Sequence, residues 1–126
     1  MDRRTLFKQS FTYGLLLVGV SSYANEEKSQ KMNVKLIITF KIKKEKLVSF
    51  MEIIKDVKEN LPQVEGCKGV KVFQVHDNKH MITLVETWES IEAHKKHIEY
   101  VVSSGTWEKI ASHLEEDPSS KYYHEI

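Results

Sequence analysis

Between Met81 and His97 the chain changes its hydrophobic period once, and that change limits what it can fold into. Up to Trp88 the residues follow a two-residue repeat. Ile82, Leu84, Glu86 and Trp88 fall on one strand face, and Met81, Thr83, Val85 and Thr87 on the other. From Ser90 the pattern is that of an amphipathic helix, with the Ser90 hydroxyl placed to cap it and Glu89 and Glu92 near its positive end. A strand that runs directly into a helix calls for a sheet with helical cover. The same junction collects chemistry. Glu86 is an acid on an otherwise apolar face, Trp88 shares that face, and His97 follows nine residues after the tryptophan. The three are expected to line one cavity.

The rest of the chain supplies the sheet and its cover. Val34, Leu36, Ile38, Phe40 and Ile42 alternate with their neighbours as a first strand over residues 33–42. Leu47, Phe50, Met51, Ile54, Val57 and Leu61 recur at helical spacing until Pro62 closes the run. Gly66 and Gly69 bracket Cys67-Lys68 as a turn. Residues 70–76 then form a second strand, which Asp77-Asn78-Lys79 joins tightly to a third over 81–88 as a hairpin. The second helix, over 91–102, is broken by Ser103-Ser104-Gly105. Trp107, Ile110, Ala111 and Leu114 mark a short third helix, and 117–120 is a loop before a last strand over 121–126.

This order, β-α-β-β-α-(α)-β, is an α+β, ferredoxin-like split βαβ arrangement with an antiparallel sheet and helices on one face. The other face, with Ile37, Phe73, Val75, Met81 and Val85, is too apolar to face water. A partner sheet is the simplest cover, so a homodimer is expected.

Residues 1–24 stand apart from this domain. Asp2-Arg3-Arg4-Thr5-Leu6-Phe7-Lys8 is a basic leader, an apolar run follows from Phe11 to Val20, and Ser22-Tyr23-Ala24 has the small residues of a cleavage site. A bilayer needs about 20 helical residues, which this run of roughly ten does not supply, so no permanent anchor is expected. Arg3-Arg4 with Thr5-Leu6-Phe7-Lys8 resembles a twin-arginine signal, although the usual Phe-Leu order is reversed; an ordinary secretory signal is the competing reading. Either route makes the mature protein periplasmic. Residues 25–32 read as a flexible leader, and residues 33–126 as the folded domain.

Loss of residues 1–24 takes the formal charge from +1 to −1. Without a concentrated basic stripe, nucleic acid is excluded as a partner. Cys67 is the lone cysteine, so no internal disulfide forms; it reads as a small core residue.

The motifs Glu65-Gly66-Cys67-Lys68-Gly69 and Glu86-Thr87-Trp88-Glu89-Ser90, with His97 beyond, resemble the antibiotic biosynthesis monooxygenase (ABM) domain family and its quinol monooxygenase-like members. The resemblance implies a dimeric α+β barrel whose pocket lies between each subunit's sheet and helices. It also implies oxidation of quinols or polycyclic phenols by molecular oxygen without flavin, haem or metal. In that chemistry a base takes a phenolic proton, the anion passes an electron to oxygen, and the radical pair recombines. His97 suits the base, Trp88 an aromatic wall for the substrate ring, and Glu86 a group that orients His97. Each has a structural alternative: an interface histidine bonded to a carbonyl, a core tryptophan, and a buried ion pair or dimer contact. The second function class is accordingly a non-catalytic exported dimer that binds an aromatic ligand.

A related branch degrades haem with Asn, Trp and His. The corresponding positions here hold Ile38, His97 and Trp107, which disfavours that activity. His94 and His97 share a helix face and raise the question of a metal with His76, His80 or His124. No His-Glu-x-x-His or paired-cysteine pattern accompanies them, and no metal is expected.

Overall fold

The computed structural model describes residues 33–126; the export signal and leader expected over 1–32 lie outside them. Four strands form one antiparallel sheet: β1 (Val34–Lys41), β2 (Cys67–Val75), β3 (Asn78–Trp88) and β4 (Ser119–Tyr123). Their spatial order is β2-β3-β1-β4. Three helices complete the domain: α1 (Leu47–Asn60), α2 (Ile91–Ser103) and α3 (Thr106–Ala111). The ferredoxin-like α+β arrangement is the one expected. Among the described residues no helix is long and apolar enough to cross a membrane.

Alternation decides which sheet face is covered. Val34, Leu36, Ile38 and Phe40 of β1 and Ile82, Leu84 and Trp88 of β3 are all buried beneath the helices. Phe50 and Ile54 of α1, Ile91, Ile98 and Val102 of α2, and Trp107 and Ala111 of α3 pack onto them as one cluster. Transfer of such side chains out of water contributes about 1.5–3 kcal/mol each, which holds helices to sheet. On the opposite face the neighbours are mixed. Thr39 and Thr83 share a hydrogen bond at 2.8 Å and Lys35 donates to Thr87 at 2.8 Å, while Phe73 and Tyr123 remain exposed.

Several boundaries differ from expectation for local reasons. Cys67-Lys68 is not a turn: β2 starts at Cys67, and the register slips between Cys67 and Gly69 as an irregularity that absorbs one residue. The turn falls instead at Glu65-Gly66, where Gly66 adopts φ 88°. A Cβ at Gly66 would stand 2.6 Å from the Cβ of Ala93, so this loop lies directly against the first turn of α2. The Glu89 amide also donates to the Gly66 carbonyl at 2.8 Å. After α1, Pro62 sits in a 3-10 turn (Leu61–Gln63) that continues the helix before the chain leaves it. β4 begins two residues earlier than expected and ends at Tyr123, which pairs Tyr122 with Leu36.

Candidate active site

Glu86 stands near the C-terminal end of β3 and points under α2; among the described residues it is one of three buried polar or charged ones, with His94 and His113. Its strand register places it beside Leu36 of β1, and Leu36 in turn lies beside Tyr122 of β4. The three side chains therefore form one row across the covered face. α2 crosses above that row. Ser90 caps its first turn by accepting a hydrogen bond from the Ala93 amide at 3.0 Å, as its position predicted. One residue later His94 drops from the helix to the row, 1% exposed.

Five contacts define the cluster. The Trp88 indole donates to Glu86 Oε1 at 2.8 Å. His94 Nε2 lies 3.9 Å from the same oxygen. His94 Nδ1 and the Tyr122 hydroxyl are hydrogen-bonded at 2.7 Å. The Trp88 ring faces His94 at 5.2 Å between centroids and His97 at 5.4 Å, the latter tilted by 31°.

Burial shapes the charges. It pushes the Glu86 carboxyl up to about 7, against the smaller opposing effect of the Trp88 indole, so the acid is part-protonated near neutrality. It pulls His94 down to about 3, with the neighbouring His97 adding to the effect, so His94 is a neutral imidazole. His97 is also shifted below its ordinary value by burial. Tyr122 is raised by burial and then by the Glu86 and Glu92 carboxylates, which keeps it a phenol.

A cavity of about 390 Å³ opens between the sheet and the helices, within the usual range for small-molecule pockets. Its wall is largely apolar, with Leu36, Phe40, Phe50, Leu84, Ile98 and Val101 among its members, and Glu86, His94 and His97 reach it. Val64, His97 and Tyr100 border both this cavity and an outer groove along α2 that also carries Glu65, Glu89 and Glu92.

The expected residues are thus brought together, with different neighbours than expected. Glu86 and His97 share the cavity wall, but Glu86 does not contact His97 directly; Trp88 stands between them, bonded to one and facing the other. Trp88, expected as the wall against a substrate ring, is fully buried and does not line the cavity, because its side chain is the floor on which Glu86 and the histidines rest. His94 and Tyr122 were missed as members of the cluster. The spacing of His94 to His97 was visible; the pairing of β4 with β1, which delivers Tyr122, was not. Cys67, expected in the core, is half-buried at its edge, and burial raises its thiol.

The fold is shared with solved structures at low sequence identity. A conserved protein from Methanosarcina mazei Go1 matches with TM-score 0.69 and 20% identity, over 79% of this chain and 99% of that one. An antibiotic biosynthesis monooxygenase matches with TM-score 0.67 and 17% identity, over 74% and 98%. A Pseudomonas aeruginosa protein matches with TM-score 0.68 and 12% identity, over 77% and 97%. No curated protein sequence matches significantly. The family profile described as antibiotic biosynthesis monooxygenase covers residues 33–99, which include β1 to β3, α1 and most of α2 with Glu86, Trp88, His94 and His97. The chain therefore belongs to the antibiotic biosynthesis monooxygenase family.

Proposed function

We propose that this protein is a cofactor-independent monooxygenase that oxidises quinol or polycyclic phenol-type aromatics with molecular oxygen. The observation that carries the reading is the apolar cavity lined by both Glu86, from the sheet, and His97, from α2. His97 accepts the phenolic proton: its lowered pKa keeps it neutral at pH 7, and it borders the approach from the outer groove. The phenolate gives one electron to oxygen, and the radical and superoxide combine into a peroxide anion on a ring carbon. That anion takes a proton from Glu86, which is part-protonated at neutral pH, and loss of water leaves the quinone. One proton is taken and one returned, so Glu86 and His97 divide the base and acid roles.

Oxygen uptake by the mature protein across a panel of quinols and anthrones tests this reading. His97→Ala is expected to lower turnover by roughly 10²-fold or more, the usual size of a proton-transfer contribution. The native rate is expected to fall as pH drops through a His97 pKa that lies below 6.5. No uptake with any member of the panel would favour the second reading, a binding protein for a flat aromatic.

A homodimer joined through the outer sheet face is supported by Phe73, 53% exposed, and Tyr123, 45% exposed, on that face. A stable monomer at micromolar concentration in light scattering would overturn it. Export to the periplasm by the twin-arginine route rests on Arg3-Arg4, and Lys at both positions is expected to retain the precursor in the cytoplasm.

A further inference from the structure

His94 occupies an unusual place for a buried imidazole. Its two ring nitrogens face two different strands, Nε2 toward Glu86 of β3 and Nδ1 toward Tyr122 of β4, with Leu36 of β1 between them. A neutral imidazole carries one ring proton, so one nitrogen donates and the other accepts. The Tyr122 hydroxyl does either with equal ease. Glu86 accepts when ionised and donates when protonated, so its charge biases which nitrogen holds the proton.

We propose that His94 is the positioning residue for Glu86, and that it changes tautomer, with Tyr122 turning its hydroxyl to match, each time Glu86 gains or loses its proton. When Glu86 is a carboxylate, the ring proton is on Nε2 and faces Oε1, and Tyr122 donates to Nδ1. When Glu86 is a carboxylic acid, its proton faces the bare Nε2, and the ring proton on Nδ1 is donated to the Tyr122 oxygen. The 3.9 Å between Nε2 and Oε1 closes to hydrogen-bond length with a movement of about an ångström by either side chain. Through this exchange a proton crosses from the cavity to the half-buried phenol on the edge strand without a charged imidazole: it leaves the carboxyl for Nε2, the Nδ1 proton passes to the Tyr122 oxygen, and the phenol's own proton goes to solvent. Run in reverse, the sequence reloads the acid that the proposed oxidation consumes, and in that sense the inference rests on the function proposed above.

The other ionisable groups around Glu86 do not offer the same path. His97 faces it across the Trp88 ring, Cys67 of β2 acts on it only through space, and Glu92 acts on Tyr122. The low basicity of His94 fits an imidazole that stays neutral while its proton changes sides.

Nuclear magnetic resonance of the mature protein labelled with ¹⁵N at His and Trp tests the proposal without substrate. The Trp88 indole N–H, bonded to Glu86 Oε1, reports the carboxyl titration, with the Trp107 indole as a control for folding. The His94 ring nitrogens are expected to exchange protonated and bare signatures with the same midpoint as the indole. In Glu86→Gln one tautomer is expected at every pH. A single tautomer across the Glu86 titration in the native protein, or an unchanged exchange in Glu86→Gln, would overturn the proposal. His94→Leu adds a second reading. An ionised acceptor loses about twice what a neutral one loses when a donor is removed, so the indole midpoint is expected to rise by about half a pH unit or more. His94→Gln, which retains an N–H, is expected to bring it back toward the native value, and an unmoved midpoint in His94→Leu also counts against the proposal. Absence of oxygen uptake by the native protein would reject the proposed reaction while leaving these measurements to decide the tautomer exchange on their own.

Discussion

The domain buries two histidines, His94 on the cavity wall and His113 at the corner where α3 ends, and they are buried in opposite senses. His113 has both ring nitrogens assigned by partners with little choice. The Lys109 carbonyl at 2.8 Å only accepts, so Nδ1 carries the proton and Nε2 accepts from the Ser49 hydroxyl at 2.8 Å. The ring also lies against Phe50, 6.0 Å between centroids. It pins α1 to the loop after α3, and it does not line the cavity. His94 has a hydroxyl on one nitrogen and a titrating acid near the other. Burial alone therefore says little about a histidine's role. The kind of partner, one that fixes the proton or one that lets it move, separates a rivet from a working group.

Substitution at the corner is the most severe way to test that difference. His113→Ala removes the ring's hydrogen bonds with Ser49, Lys109 and Ser112 and leaves a void beside Phe50, and it is expected to destabilise the fold by about 3 kcal/mol in urea unfolding. The Glu86 midpoint read at the Trp88 indole should stay where it was; a moved midpoint would erase the distinction between the two sites.

Glu86→Gln probes the wall through pH. The Glu86 carboxyl has a folded pKa of about 7 against an ordinary 4.5, so its contribution to stability is fully present below 4.5 and is lost as pH rises through 7. His94 runs the other way. Its folded value is about 3 against 6.5, so its contribution is present above 6.5 and lost as pH falls. Between 4.5 and 6.5 the two oppose each other in the native protein. With Gln at position 86 the acid's loss disappears, and the variant is expected to gain on the native protein from pH 4.5 upward. The gain should level off above 7 at up to about 3 kcal/mol. Thermal unfolding of both proteins at pH 5 and pH 8 checks this, and an equal difference at the two values would place the titration elsewhere.

The mildest test concerns the helix that carries the wall. Ser90→Ala removes the cap on the Ala93 amide and is expected to cost about 1 kcal/mol. Hydrogen exchange should rise in the first turn of α2 and not at the His113 corner.

Much of the frame was legible from local pattern. The period-2 runs in β1 and β3 gave the covered face residue by residue, down to Glu86 as the acid on it, and Ser90 announced the start of α2. The cluster was half legible. Glu86, Trp88 and His97 sit within twelve consecutive residues, where strand and helix geometry reach, whereas Tyr122 arrives through a pairing with Leu36 far away in sequence. Such register is set by tertiary packing and leaves no mark in a window around Tyr122. The depth of Trp88 was not legible for a related reason: alternation places a side chain on a face but does not say how far below the cavity it lies. The slip at Cys67 was hidden because two glycines three residues apart signal a turn and a strand irregularity alike.

Gly66 gives the site a mechanical dependence on something outside it. Its hydrogen stands where a methyl group would collide with Ala93, the residue just before His94. Any larger residue there wedges the first turn of α2 away from the sheet, and φ 88° adds backbone strain to the collision. A shift of that turn moves the His94 ring relative to both Tyr122, at 2.7 Å, and Glu86, at 3.9 Å. The clearance of one hydrogen atom in a surface turn thus sets the alignment tolerance of the buried row, and engineering of the cavity has to treat position 66 as part of its frame.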